Sequence, residues 1–193
     1  TLIEGETNIV IDEWLTPSLG QRTRDPIEAP DGDIWWTGMW ASLVGRLDPA
    51  TGAMQEFLLP SAARPHSIVP DRDGFIWYTG NSNATIGKLD PATGEIIEYP
   101  TQARDPHTAV FHPNGNLYFT SQHSNMLGRL NPTTGEVTEI DTRRKPYGIK
   151  VGQDDDLLAV GEFDFVHLRL DLGPFHVVQA RNLDLAVEMA DVG

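Results

Sequence analysis

Histidines that follow a proline are the residues of this sequence best suited to acid–base chemistry. His66 follows a proline, and His107 ends an Asp-Pro-His triplet that begins at Asp105. An imidazole exchanges protons near neutral pH or ligates a metal ion, and a carboxylate binds cations through oxygen. These residues predict a general base or a metal ligand or, as the alternative, histidines that only hydrogen-bond the junction between repeats.

Further polar residues stand at matching points of the chain. Tyr147 follows a proline, as both histidines do, one interval later. Asn81, Gln122 and Glu162 each follow a run of apolar and small residues. Amide, phenol and carboxylate groups at such points can orient a ligand, and their oxygen atoms can bind a metal ion.

A repeat of about 41 residues must position these side chains. An octet of the form Gly-Arg/Lys-Leu-Asp/Asn-Pro-Ala/Thr-Thr-Gly begins at Gly45, Gly87 and Gly128. A second motif keeps the same interval as DGDIWWTG, DGFIWYTG and NGNLYFTS, and a degraded copy, DDDLLAVG, begins at Asp154 and continues at Leu168. Four short strands per unit, separated by Gly, Pro, Asn and Asp, are typical of a β-propeller blade.

We therefore predict an all-β fold, a single β-propeller domain over residues 1–193 with about four to five four-stranded blades. In the second unit, strands are predicted at 66–70, 75–80, 85–89 and 95–99. The repeats cover approximately 22–62, 63–102, 103–142 and 143–182.

The second motif also carries aromatic residues at the same point of each unit. Because large aromatic side chains dominate the cores of such folds, we expect them to pack between blades rather than to form a ligand platform. They are Trp35, Trp36, Trp77, Tyr78, Tyr118 and Phe119.

The sequence leaves open how the ring closes. Residues 9–14 resemble an outer strand that would complete the last blade, and residues 183–193 would begin a fifth unit. Since propellers have four to eight blades, the chain is expected to be a small closed ring, part of a larger ring, or a half-ring that closes by self-association.

Antiparallel strands place the start of strand one and the end of strand two at the same rim of the channel. His66, His107 and Tyr147 open first strands, whereas Asn81 and Gln122 close second strands. Loops on a rigid scaffold commonly carry binding residues, so we predict a small-molecule site at this rim. Its predicted substrate contacts are Asn81, Gln122 and Tyr147.

Composition excludes several partners. The chain has 14 Lys and Arg against 28 Asp and Glu, a net charge of −14 and a pI near 4.6. An acidic surface repels phosphate, so no nucleic-acid partner is expected. No apolar stretch is long enough to cross a bilayer, and the first residues lack a signal-peptide pattern. We expect a soluble protein without a membrane partner, either cytoplasmic or exported after leader cleavage, and the absence of cysteine leaves the redox compartment open.

These repeats resemble those of the virginiamycin B lyase family. The likeness is carried by ARPHSI, RDPHTAVF, DGFIWYTGNSNATIGKLDPATGEIIEYP and NGNLYFTSQHSNMLGRLNPTTGEV, and it extends over about residues 24–162. Members of the family are seven-bladed, so the resemblance implies that this chain holds an incomplete or truncated ring.

The resemblance implies a lyase that opens streptogramin B-type cyclic depsipeptides at the ester by C–O elimination with Mg²⁺, an antibiotic-resistance activity. It implies that His107 is the general base, that His66 is a second catalytic residue, and that Asp105 and Gln122 hold the metal. The family pattern has Glu where this chain has Gln122. An amide contributes no charge, so weaker magnesium binding is expected.

Two other functions remain alternatives at this stage. One is a non-catalytic propeller that binds a ligand or protein. The other is a gluconolactonase-like lactonase that binds calcium through Glu162, Asn81 and Asp105. A fold of this kind serves many functions and does not choose among them.

Overall fold

The computed structural model describes residues 10–60, 62–142, 145–153, 155–161 and, as backbone alone, 165–168. These residues form fifteen β-strands and no helix. In chain order the strands are β1 (Thr23–Glu28), β2 (Ile34–Gly38), β3 (Leu43–Leu47), β4 (Met54–Leu58), β5 (Ile68–Pro70), β6 (Ile76–Gly80), β7 (Thr85–Leu89), β8 (Ile96–Pro100), β9 (Pro106–Phe111), β10 (Leu117–Ser121), β11 (Met126–Leu130), β12 (Val137–Asp141), β13 (Pro146–Val151), β14 (Leu157–Gly161) and β15 (Phe165–Leu168).

Consecutive strands pair antiparallel into three four-stranded sheets and one three-stranded sheet. The first strands of the sheets are neighbours, since β1 contacts β5, β5 contacts β9 and β9 contacts β13. Four meander sheets with adjacent first strands confirm the all-β propeller prediction, and the described residues form no closed ring. In the second blade, observed strand ends fall within two residues of those predicted from the turn residues.

The glycine that opens each repeated octet permits a close approach between neighbouring strands. Gly87 lies beside the ring of Tyr78, and a Cβ atom on Gly87 would be 1.9 Å from Tyr78 Cζ. Gly45 stands in the same relation to Trp36, and Gly128 to Phe119. The glycine is therefore required for packing, because a side chain would displace the aromatic ring.

Three apolar clusters fill the spaces between successive sheets. The six aromatic residues of the second motif are buried, with exposures between 0% and 6%, and all but Trp36 belong to these clusters, which confirms for those five that they pack between blades. Trp77 stacks on Tyr99 within its own sheet and meets Phe111 of the next sheet edge-on. Such contacts hold each blade against the next.

The first described residues differ from the prediction. Residues 10–14 form no strand, and Val10 and Ile11 are 85% and 77% exposed. An isolated strand requires a paired neighbour, and this stretch has none among the described residues. Trp14 instead lies against the β3–β4 turn at Gly52. The predicted fifth unit at 183–193 lies outside the described residues, within which no helix is long and apolar enough to span a membrane.

Candidate functional site

Four side chains from successive sheets form a continuous row at one rim. His66 Nδ1 lies 3.4 Å from Asp25 Oδ2, and the ring centroids of His66 and His107 are 3.6 Å apart at an interplanar angle of 35°. The ring of Tyr147 follows at 4.3 Å from that of His107. The row Asp25–His66–His107–Tyr147 thus takes one residue from each blade. We call it the rim row.

Irregular strand openings direct these side chains to the rim. The pairing with the second strand is irregular at three of these openings. In β1 the irregularity lies between Arg24 and Ile27, and in β13 between Pro146 and Gly148. In β9 it lies opposite the end of β10, between Phe119 and Ser121. Such bulges redirect side chains at the ends of sheets. Asp25 itself has φ of +40°, an uncommon conformation for a residue with a side chain. Pro106 and Pro146 are the first residues of β9 and β13, where a backbone N–H is not needed for the ladder, and Pro26 lies in the irregular part of β1.

His107 has the environment of a neutral base. It is 5% exposed, and its Nδ1 contacts Thr108 Oγ1 at 3.0 Å. Among the described residues, no hydrogen-bond partner contacts Nε2. Burial, followed by the proximity of His66, lowers the pKa of His107 to about 4, and the carboxylates of Asp25 and Asp105 only partly oppose this. The imidazole is therefore neutral at physiological pH and able to accept a proton.

His66 is equally buried but incompletely paired. Its Nδ1 atom is close to the carboxylate of Asp25, yet the contact lacks hydrogen-bond alignment, and no other partner is present in the described part of the chain. A buried ring nitrogen without a partner is uncommon in proteins. An unpaired polar atom beside His107 makes His66 a second functional candidate.

Asp105 points away from the rim row into the β10–β11 loop. Its Oδ2 accepts from the backbone N–H of His123 at 2.6 Å and contacts His123 Nδ1 at 3.0 Å. Its Oδ1 accepts from Ser124 N at 3.0 Å and from Ser124 Oγ at 2.6 Å. Burial alone would raise the pKa of Asp105, but the hydrogen bonds from Ser124 and His123 outweigh it and lower the pKa. The carboxylate therefore braces this loop.

The remaining predicted residues surround the rim row in different ways. Asn81 donates through Nδ2 to the carbonyl of Pro106 at 3.1 Å, which ties it to the residue before His107. Tyr147 is 47% exposed and covers the His107 ring. Gln122 is half-buried just after β10, and among the described residues no hydrogen bond joins it to His66 or His107. Glu162, the carboxylate considered for calcium, lies outside the described residues.

The side chains of the described region do not by themselves form a suitable set of magnesium ligands. Within it, no group of three or more His, Asp or Glu side chains is arranged to hold a metal ion. Both oxygens of Asp105 already accept hydrogen bonds, and Gln122 offers one neutral amide oxygen. Magnesium prefers carboxylate and water ligands in octahedral geometry. The assignment of Asp105 and Gln122 to the metal stays a prediction.

Asp25 is the member of the rim row that sequence reasoning missed. Its unit has no histidine after the proline, so the comparison of Pro-His pairs passed over it. The signal present was the dipeptide Asp25-Pro26, which matches Asp105-Pro106 two repeats later. The two aspartates nevertheless differ in role, because Asp25 faces a histidine whereas Asp105 binds a loop.

Comparison with known proteins gives a consistent result. The model of the virginiamycin B lyase family matches residues 10–166. Virginiamycin B lyase from Staphylococcus aureus superimposes with a TM-score of 0.79 at 25% identity, over 90% of this chain and 60% of that one. A catalytically inactive histidine-to-alanine variant of the S. aureus enzyme, solved with quinupristin, gives 0.76 at 25% identity over 86% and 58%.

A candidate gluconolactonase superimposes with a TM-score of 0.68 at 14% identity, over 81% of this chain and 62% of that one, and shares the fold alone. No protein of the curated set matches the sequence. The chain spans about three fifths of the length of the solved lyases that it matches.

Proposed function

The chain belongs to the virginiamycin B lyase family, and we propose that it opens the ester of a streptogramin B-type cyclic depsipeptide by elimination, with His107 as the general base. The observation that carries this proposal is the buried, neutral imidazole of His107 between His66 and Tyr147. A neutral histidine can act as the general base that such an elimination requires.

In the proposed reaction, His107 removes the proton on the carbon α to a carbonyl. The electron pair of that C–H bond forms a carbon–carbon double bond as the neighbouring C–O bond breaks, and the carboxylate leaves with the electrons of the C–O bond. The ring is opened and no water is added. The proton on His107 then passes to solvent, which restores the base.

His66 and Tyr147 lie on either side of His107 and would assist the reaction in different ways. A ring N–H of His66 would donate to the carbonyl oxygen on which negative charge develops, a role that matches its place between Asp25 and His107. Tyr147 presents a half-exposed aromatic face for the ligand. Asn81 and Gln122, on the loops of the same rim, complete the proposed substrate contacts.

Magnesium belongs to the proposal only through the family. When bound, the ion would polarise the substrate carbonyl. Both carboxylate oxygens of Asp105 already accept hydrogen bonds, and Gln122 carries no charge. For this reason, no step above depends on magnesium. The activity assay therefore measures the magnesium requirement separately.

The test is to incubate the full chain with a streptogramin B depsipeptide, with magnesium and with EDTA, and to follow products by mass spectrometry. A linear product of unchanged mass, lost in His107→Ala, supports the proposal. Glu95→Gln is the matched control, since Glu95 is exposed on a turn at the opposite rim and its replacement should leave turnover unchanged.

Two other outcomes point elsewhere. A product heavier by one water would indicate hydrolysis and therefore the lactonase alternative. Binding without turnover by the folded protein would indicate a non-catalytic propeller. The hydrogen bonds that hold the Asp105 carboxylate in the β10–β11 loop favour the non-catalytic propeller as the second candidate function, because they occupy the predicted metal ligand.

A further inference from the structure

One buried threonine hydrogen-bonds both segments that carry the histidines. Thr79 lies in β6 and is fully buried. Its backbone N–H donates to the carbonyl of Ser67, and its carbonyl accepts from the backbone N–H of His66, each at 3.0 Å. Its hydroxyl accepts from the N–H of Ser67 at 2.9 Å and donates to the carbonyl of His107 at 2.8 Å. Three of these bonds lie within the second blade, and the fourth, from the Thr79 hydroxyl to His107, connects the second blade to the third.

We infer that Thr79 is a positioning residue that sets the separation between the His66 and His107 rings; its effect on turnover rests on the function proposed above. The backbone of Thr79 fixes the strand opening at His66, and its hydroxyl fixes the backbone of His107 relative to it. A hydroxyl has one donor and two acceptor sites, and this one uses both kinds. Removing it leaves the His107 carbonyl and the Ser67 N–H buried without that partner.

The same bond occurs at the two neighbouring junctions. Thr37 donates to the carbonyl of His66 at 3.0 Å, and Thr120 donates to the carbonyl of Tyr147 at 2.7 Å. Each member of the rim row after Asp25 is thus held by a threonine of the preceding blade. In the fourth blade Val160 takes this position and has no hydroxyl. Thr120 therefore supplies a matched control for Thr79 within the same molecule.

The direct readout is the geometry of the rings in solution. With isotope-labelled histidine and tyrosine, the nuclear Overhauser contacts of His66 with His107 and of His107 with Tyr147 are measured in the full chain. We expect Thr79→Val to weaken the His66–His107 contact and Thr79→Ser, which keeps the hydroxyl, to retain it. Thr120→Val should weaken the His107–Tyr147 contact and preserve the contact between the two histidines.

The inference is overturned if Thr79→Val leaves the His66–His107 contact at its wild-type strength, or if Thr120→Val weakens that contact equally. Should Thr79→Val not fold, Thr79→Ala replaces it. That smaller side chain leaves room for a water molecule, but water has no covalent link to β6, so the same weakening is expected.

Activity gives a second measurement. If the lyase reaction is observed, Thr79→Val should lower kcat by about 10- to 100-fold with a smaller change in KM, and Thr79→Ser should restore it, because a displaced base loses reactive geometry. If no wild-type turnover is found, the proposed function fails while the ring contacts still decide the role of Thr79. An unchanged kcat in Thr79→Val would contradict the inference.

Discussion

The His66 and His107 rings lie 3.6 Å apart, although the two residues are one full repeat apart in the chain. Both rings are buried, and burial first, followed by the proximity of His66, lowers the pKa of His107. His107 is therefore kept in its neutral form. Repetition of one sequence motif in adjacent blades is what generates this chemistry, because each blade alone supplies a single ring.

The first prediction concerns the pH dependence of turnover. Because burial and the nearby His66 lower the pKa of His107 to about 4, the neutral base is present at every pH above that value. We expect kcat/KM to rise as pH increases, with a midpoint near pH 4 instead of near the ordinary histidine value of about 6.5. Initial rates across this range, on protein shown to be folded at each pH, provide the measurement.

The matching variant is His66→Ala. It removes the neighbouring ring and admits water, and both changes favour protonated His107, so the midpoint should move up toward the ordinary value. A wild-type midpoint already at the ordinary value would contradict the assignment of His107 as the base.

The second prediction concerns packing beneath the site. Gly87→Ala would place a Cβ atom 1.9 Å from Tyr78 Cζ, in a sheet whose core is otherwise filled. Inserting one carbon into a filled core costs about 1–3 kcal/mol, occasionally more. The free energy of unfolding, measured by denaturant titration, should fall by at least that amount. Gly148→Ala is the control, since a Cβ atom on Gly148 would have nothing within 4 Å, and an equal loss in both variants would refute the argument.

Much of this arrangement is predictable from sequence, and the limits have a physical origin. The repeated motifs predict the four-stranded sheets and the rim that His66, His107 and Tyr147 share, because strand alternation and turns are local properties. The direction of the Asp105 side chain is not local. It depends on the donors of a loop eighteen or so residues later in sequence, at His123 and Ser124.

The missing strand at 10–14 has a related cause. β-branched and aromatic residues indicate the capacity to form a strand, whereas pairing requires a partner from another part of the chain. The role of Thr79 could not be predicted for a different reason. It belongs to a motif that carries a threonine in each of the first three blades, so its sequence gives no indication that its hydroxyl bonds to the residue proposed as base.

The third prediction concerns Asp105 as a loop brace. Asp105→Ala removes the acceptor of four hydrogen bonds from His123 and Ser124, including two backbone donors. Hydrogen bonds to a charged group contribute about 1.5–3 kcal/mol each before partial replacement by water, so we expect a net loss of at least that size in the free energy of unfolding. Asp73→Ala, at an exposed turn, should change stability by less than about 0.5 kcal/mol.

Hydrogen exchange localises the effect. Faster exchange at the amides of His123 and Ser124 in Asp105→Ala is the expected result, and protection equal to that of the wild type would show that the brace is not made in solution.

The fourth prediction concerns the metal. Gln122 presents a neutral amide at the rim, where the family pattern implies a carboxylate. Adding one negative charge strengthens the binding of a divalent cation through oxygen, so Gln122→Glu should lower the magnesium concentration for half-maximal turnover by about tenfold. Titration of magnesium into EDTA-treated protein, with turnover as the readout, makes the measurement. Glu95→Gln, which removes one charge at the opposite rim, controls for net charge. If Gln122→Glu and the wild type give the same magnesium curve, Gln122 does not contact the ion, and the search for its ligands moves to other residues of the rim.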